Sequence, residues 1–324
     1  MTRPAVDVVH VGSASRDVAA DDPRGWRLGG GVTYAALTTA RLGLSTAAVV
    51  GVDAEAARAT ELDTLRAAGV DLLPVPLREG PVFHNVETAT GRRQRVIAVG
   101  VALPILPVPD SWRAARAWSF VPVAGEVADG WVTAPGADAL VAVGWQGMLR
   151  RLVAGTDVAR SAPTARALLR RVDLVGVSHH DVDATTTVAD LARFLRLGAR
   201  LLLTRGADGG LLVEIGAGDP GQSLRYLPTL ADREVDATGA GDTFLAALLA
   251  AAIRPSLVGP IRRRVGSELR FAAAAGSLAV EAPGLAGVPD LPAVRARAVR
   301  ERVRRLVVPS EPRQVVAHGG GATT

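Results

Sequence analysis

Short apolar runs alternate with Ala- and Leu-rich periodic stretches along most of the chain. Residues 6–11, 46–50, 70–75, 117–121, 139–143, 174–177 and 200–203 are brief and rich in Val, Leu and Ala, as expected for strands buried on both faces. Helical spacing is found at 32–42, 54–68, 164–171 and 187–197, and again at 243–253, 262–280 and 292–306. This alternation predicts a mostly parallel sheet with helices on both faces. Residues 211–214 follow the turn Ala207, Asp208, Gly209, Gly210 and read as an antiparallel return.

Two stretches break the rhythm. Residues 17–27 are polar and carry Asp21-Asp22-Pro23, so they read as a loop or a short exposed strand pair. Residues 83–87 and 94–99 flank a glycine turn at Gly91 and read as a β-hairpin projecting from the main sheet as a lid. Residues 104–109 read as a linker. The tail from 309 is polar and turn-rich and is expected to be disordered.

Composition narrows the chemistry. The chain has 324 residues, 48% hydrophobic and 4% aromatic, which suits one large α/β domain or two smaller ones. No apolar run approaches the ~18 residues of a membrane span, and the N-terminus carries no leader pattern, so a cytoplasmic protein is expected. With no cysteine, disulfides, thiolate catalysis and Cys-zinc sites are excluded. All 37 basic residues are Arg. Absence of Lys excludes a Walker-type phosphate loop and a Schiff-base enzyme. The formal charge of +5 is spread along the chain, so no nucleic-acid partner is expected.

One stretch carries most of the chemistry. Asp236, Ala237, Thr238, Gly239, Ala240, Gly241 and Asp242 lead directly into the helix at 243–253. The first turn of a helix has unpaired N–H groups at a positive dipole end and attracts anions. Gly239 and Gly241 leave that backbone open to a phosphate. Asp242 would repel a phosphate, but it fits a base that takes a proton from an attacking hydroxyl. Ordinary helix capping accounts for the Asp alone, not for the whole stretch. Asp17, just past the first strand, lies where open parallel sheets bind ligands. Gly29, Gly30 and Gly31 do not complete a dinucleotide fingerprint, because Tyr34 occupies the third place; a substrate-approach loop is the better reading. A lone His84 on a hairpin reads as structural or exposed.

The stretch ending at Asp242 resembles the C-terminal signature of the ribokinase-like (PfkB-type) carbohydrate kinases, and supporting resemblance runs over about residues 6–306. Residues 12–17, 28–31 with 34–43, 50–53 and 204–210 carry it. The resemblance implies a ribokinase-like three-layer αβα sandwich over residues 1–308, with lid segments at about 14–28 and 80–101. It implies Asp242 as catalytic base, with backbone N–H groups of Gly239, Ala240 and Gly241 as the anion hole. Asp236 and Thr238 would shape the loop and, in some members, contribute to a monovalent-cation site. Thr204 and Gly206 would line the nucleotide phosphates, and Ala273 and Gly284 would lie near the adenine. Asp17 and Gly30, with Asn85 and Arg95, would face the phosphoryl acceptor. Ser15 and Tyr34 stand at the family's sugar-binding Asn positions, which argues against ribose. The family's Asn-x-x-Glu reads here Ser178, His179, His180, Asp181: the acid is shortened and the Asn lost, leaving Asp181 in indirect contact with Mg2+. Gln146 and Arg150 resemble an element of a branch that includes plant inositol kinases, although a turn and helix start explains them equally well. The implied activity is ATP- and Mg2+-dependent phosphorylation of a sugar or cyclitol, with a homodimer formed through the lid. A nucleoside kinase, or an inactive sensor on the same fold, is the alternative.

Overall fold

The computed structural model describes residues 5–88, 91–217, 220–226, 231–262, 265–299 and 303–306. The chain starts with β1 (Val8–Ser13), β2 (Ser15–Val18), β3 (Trp26–Gly29) and α1 (Gly31–Arg41). It continues through β4 (Thr46–Val52), α2 (Thr60–Ala67), β5 (Asp71–Pro76), β6 (Val82–Thr88) and β7 (Gly91–Ala98). Then come α3 (Asp110–Arg113), β8 (Ala117–Phe120), β9 (Leu140–Gly144), β10 (Arg150–Arg151) and β11 (Ala159–Arg160). The next stretch holds α4 (Ala167–Arg171), β12 (Leu174–Ser178), α5 (Val188–Ala192), β13 (Arg200–Thr204), β14 (Gly210–Ile215) and β15 (Pro220–Tyr226). The last elements are α6 (Ala240–Ile253), α7 (Ser267–Ala279), α8 (Leu291–Ala298) and β16 (Val303–Leu306).

Among the described residues the central sheet has ten strands, in the order β16-β15-β14-β13-β12-β9-β8-β1-β4-β5. From β5 to β13 every pairing is parallel; β14, β15 and β16 add antiparallel strands at one edge. β1 and β4 are buried along their whole length, which explains why their sequences are apolar without alternation. The chain runs outward from β1 through β4 to β5, then returns to β8 on the other side of β1. The switch point therefore lies beyond the carboxyl ends of β1 and β8, where open α/β sheets form their crevice.

α6 is apolar nearly all round because it is packed all round, between the sheet, α1 and α7. It comes so close to β12 that a Cβ on Gly176 would lie 3.2 Å from Leu245. No single helix among the described residues is long and apolar enough to cross a membrane.

The lid is a separate four-stranded sheet, β3-β2-β6-β7. Residues 17–27 are thus a strand pair with its turn, and the projecting hairpin pairs with it through β2 and β6. Register sorts its two faces. Asp17 lies beside Phe83, and Asn85 opposite Gln94, so these share one face with Val96. Phe83 and Val96 are buried against Val123 of the body. Val18, His84, Val86, Arg95 and Ile97 lie on the other face, and Val18, Val86 and Ile97 are exposed there.

Several boundaries differ from the sequence expectation. The helix expected at 54–68 is a 3-10 turn followed by α2, and those at 164–171 and 187–197 shorten to α4 and α5. The helix expected at 292–306 ends at Ala298; Val303–Leu306 is instead a strand on the edge of β15. Val303 and Leu306 have helical spacing, but an open sheet edge offers their backbone partners that local periodicity does not reveal. The expected disordered tail, 309–324, lies outside the described residues.

Candidate active site

Two helices begin at the switch point, and their first turns meet. α6 is preceded by Gly239 at φ 77°, and α1 by Gly30 at φ 96°. Both angles favour glycine. At Gly30 a Cβ would also lie 2.4 Å from the Ser13 carbonyl oxygen. Asp242 stands in the first turn of α6. A Cβ on Gly31 would lie 2.7 Å from Asp242 Oδ1, and one on Gly144 3.8 Å from it. The carboxylate therefore occupies space that Gly31 leaves open, while Gly144 would meet it only at ordinary contact distance. Helix geometry leaves the N–H groups of Gly241 and Asp242 without partners inside α6. Space beside Gly241 is open: nothing lies within 4 Å of a Cβ built there.

Burial pushes the Asp242 carboxyl up to about 7. The Arg150 guanidinium opposes that rise and the Asp181 carboxylate adds to it. A carboxylate with a proton affinity near neutrality is suited to general-base work.

Asp236 shapes the loop before α6. Its Oδ1 accepts from Thr238 N at 2.9 Å and its Oδ2 from Gly284 N at 3.0 Å. The N–H groups of Val235 and Asp236 both donate to the Val280 carbonyl. Thr204 ends β13, where its carbonyl accepts from His179 N at 2.9 Å. Gly206 follows, exposed and with φ 55°. Ala273 is buried within α7, 2% exposed.

On the lid, Ser15 Oγ donates to Asp17 Oδ1 at 3.2 Å. A Cβ on Gly29 would lie 2.2 Å from Asp17 Oδ2, so Gly29 makes room for that carboxylate. Asn85 accepts from Gln94 Nε2 at 2.9 Å on the same face. Arg95 lies on the opposite face and is exposed, so it does not join Asp17 and Asn85. One residue of register decides this. Tyr34 lies buried with its ring against Gly239.

Asp181 is held from two sides. Its Oδ2 accepts from Ser178 N at 3.0 Å and its Oδ1 from Gln146 Nε2 at 3.2 Å. The His179 and His180 rings lie 3.8 Å apart, centroid to centroid. Burial, with His179 beside it, lowers the proton affinity of His180. Among the described residues no cluster of three His, Asp or Glu could hold a metal ion. Magnesium in phosphoryl-transfer sites usually keeps several waters and is carried largely on the substrate phosphates.

Two residues of this region were not among the site candidates. Arg150 sits 5.9 Å over the Phe83 ring of the lid and acts electrostatically on Asp242. Its signal was the Gln146–Arg150 spacing past β9. Glu126 is buried beyond β8, with its proton affinity raised by burial. It accepts from the N–H groups of Ser13 (2.9 Å), Val123 (3.1 Å) and Ala124 (2.8 Å), tying the ends of β1 and β8 together.

The site is thus an acid in the first turn of a helix, beside the switch point of a three-layer α/β fold that carries a small second sheet. The pfkB family carbohydrate kinase model matches residues 7–292, and the chain belongs to that family. Members are phosphotransferases acting on hydroxyl groups. An ATP-dependent 6-phosphofructokinase of Thermoanaerobacterium thermosaccharolyticum is 37% identical over 84 residues, which cover 24% of this chain and 24% of that protein. Among solved structures, a pyrophosphate-dependent kinase in the ribokinase family, complexed with a pyrophosphate analog and myo-inositol, superposes with TM-score 0.66 at 18% identity, covering 89% of this chain and 99% of that one. The ribokinase of Arabidopsis thaliana, with ribose and ATP, gives 0.64 at 19% identity, over 91% and 99%. A nucleoside kinase of Methanocaldococcus jannaschii gives 0.62 at 14%, over 92% and 100%.

Proposed function

We propose that this chain transfers the γ-phosphoryl group of ATP to a hydroxyl of a cyclitol or related sugar. The observation that carries the reading is the Asp242 carboxylate: it sits at the start of α6, with a proton affinity raised to about 7, against Gly31, two residues after the Gly29 that makes room for Asp17. Asp17 holds one hydroxyl of the acceptor, with Ser15 orienting its carboxylate. Gln146 and Arg150 offer polar contacts from the floor. Asp242 takes the proton of the attacking hydroxyl as the new O–P bond forms and the bond from the γ-phosphorus to the β–γ bridging oxygen breaks, ADP leaving with that oxygen. The first-turn N–H groups of α6 stabilise the charge on the transferring group. ATP with Mg2+ supplies that group when bound. Lid strands over the crevice exclude water and so limit wasteful hydrolysis.

The loop suits donor phosphates: space beside Gly241 is open, and Asp236 braces the loop through Thr238 N and Gly284 N. A monovalent cation bound at the Asp236 loop, a cytoplasmic location and a homodimer through the exposed outer face of the lid belong to the same reading. Pyrophosphate is a second candidate donor, favoured by the myo-inositol-bound relative that uses it. A nucleoside acceptor is less favoured, because the sequence offers few aromatic residues to stack a base.

The test is product formation, followed by phosphorus NMR, with MgATP and with Mg-pyrophosphate over a panel of cyclitols, sugars and nucleosides. A phosphorylated cyclitol or sugar is expected. Turnover confined to nucleosides sinks the acceptor assignment. Silence across the panel with measurable ligand binding favours an inactive sensor.

A further inference from the structure

Gly239 is the hinge of the donor loop, and a glycine there is free to leave its positive φ unless something holds it. Tyr34 is the residue against it. A Cβ on Gly239 would lie 2.2, 2.3 and 2.4 Å from Cδ1, Cε1 and Cγ of the Tyr34 ring. The ring is 2% exposed. Its hydroxyl end lies toward Gly284, 4.0 Å from a Cβ built there. Gly284 N in turn donates to Asp236 Oδ2. Tyr34 thus spans both ends of the segment that Asp236 staples.

We propose that Tyr34 is a positioning residue for the donor: its ring locks Gly239 at φ 77° and so aims the first N–H groups of α6 at the transferred phosphate. The proposal rests on the kinase reading above. It changes the part assigned to this position, from an acceptor contact to a support of the donor loop. Tyr34 stands on α1, the same helix whose Gly31 makes room for the Asp242 carboxylate. One helix therefore supports both halves of the transfer site, the loop through Tyr34 and the base through Gly31. The interaction is shape-dependent: a flat ring covers the face of a glycine peptide, and a branched aliphatic side chain does not. The ring makes this contact; the hydroxyl lies at its far end, toward Gly284.

The test measures donor affinity apart from turnover. Dissociation constants for Mg-AMP-PNP and for Mg-pyrophosphate are taken by calorimetry on the wild type, Tyr34→Phe, Tyr34→Leu and Tyr34→Ala, with melting temperatures alongside. Acceptor KM and kcat follow on the acceptor found above. Tyr34→Phe keeps donor affinity within about twofold, while Tyr34→Ala weakens it about tenfold, a size consistent with loss of positioning by a fraction of an ångström. Acceptor KM moves less than the donor constant. Tyr34→Leu preserves bulk and carries the test if the alanine variant does not fold; it too loses donor affinity. Donor affinity unchanged in Tyr34→Leu, or a loss confined to acceptor KM, overturns the proposal. A wild type that binds neither donor refutes the kinase reading itself.

Discussion

α1 and α6 begin in similar ways and do different work. Each follows a glycine with positive φ, and their first turns converge at the end of β1. α6 carries an acid in its first turn and α1 carries none. The acid of α6 fits only because α1 starts with Gly31, which has no side chain to displace it. The glycine before α6 is covered in turn by an aromatic ring from α1. A helix start by itself attracts anions; here a second helix also leaves room for its acid and packs against the glycine before it.

Substitution on the α1 side separates these parts. Gly31→Ala places a Cβ within 2.7 Å of Asp242 Oδ1, so the carboxylate must move. Turnover falls about 100-fold with little loss of melting temperature, since a shift of about 1 Å at a reacting group has that size of effect. Steady-state kinetics and a thermal melt check this. An unchanged kcat would show that Asp242 has slack the geometry denies.

The two N-cap glycines differ in what confines them. Gly30 faces the backbone of Ser13, Ala14 and Ser15, whereas Gly239 faces a side chain. Gly30→Ala is expected to cost about 3 kcal/mol and Gly239→Ala about 2 kcal/mol, the difference reflecting how little backbone can yield. Denaturant titration measures both. Equal costs would mean that the Tyr34 ring is held as firmly as the sheet.

Asp242 also links stability to pH. Its folded value is raised, so between the usual carboxylate range and about 7 the folded state binds more protons than the unfolded one. Stability is therefore lost as pH rises through that window. Asp242→Asn removes the penalty and gains about 2 kcal/mol at pH 8, with the gain fading below pH ~4. Melts at both pH values decide it. Arg150→Ala removes the charge that holds Asp242 down, so the pH midpoint of kcat/KM shifts upward, a smaller change than the loss of turnover in Gly31→Ala.

The smallest effect lies at the lid. Arg24 pairs with Glu61 of α2 at 2.6 Å and stacks 4.6 Å over Trp26. Arg24→Ala costs about 0.5 kcal/mol, and the difference disappears at 1 M salt, because the pair is partly exposed.

Much of this arrangement can be read from the chain. Buried parallel strands leave unbroken apolar runs, and the lid shows itself by strand texture inside an α/β rhythm. Asp242 was marked by its neighbours, because an acid among glycines at a helix start has few other uses. The resemblance puts Arg95 with Asn85, but pairing of β6 with β7 sets Arg95 opposite His84 and so on the other face, a register that one strand alone does not reveal. Tyr34 was assigned by its position in a motif, but its partner Gly239 is far along the chain, and only packing brings them together. Glu126 carried no motif at all: its place depends on backbone N–H groups from β1 and from the β8 end. Local patterns specify elements, whereas the partners of a site residue are set by the fold.

The most direct measurement uses the Asp242→Asn variant, with turnover and Mg-AMP-PNP affinity determined on one sample at pH 8. Removal of the base lowers kcat by about 1,000-fold or more, while donor affinity stays within a few-fold of the wild type, since the backbone N–H groups remain. A variant that turns over at a near-normal rate would contradict the role of Asp242, whatever its donor affinity.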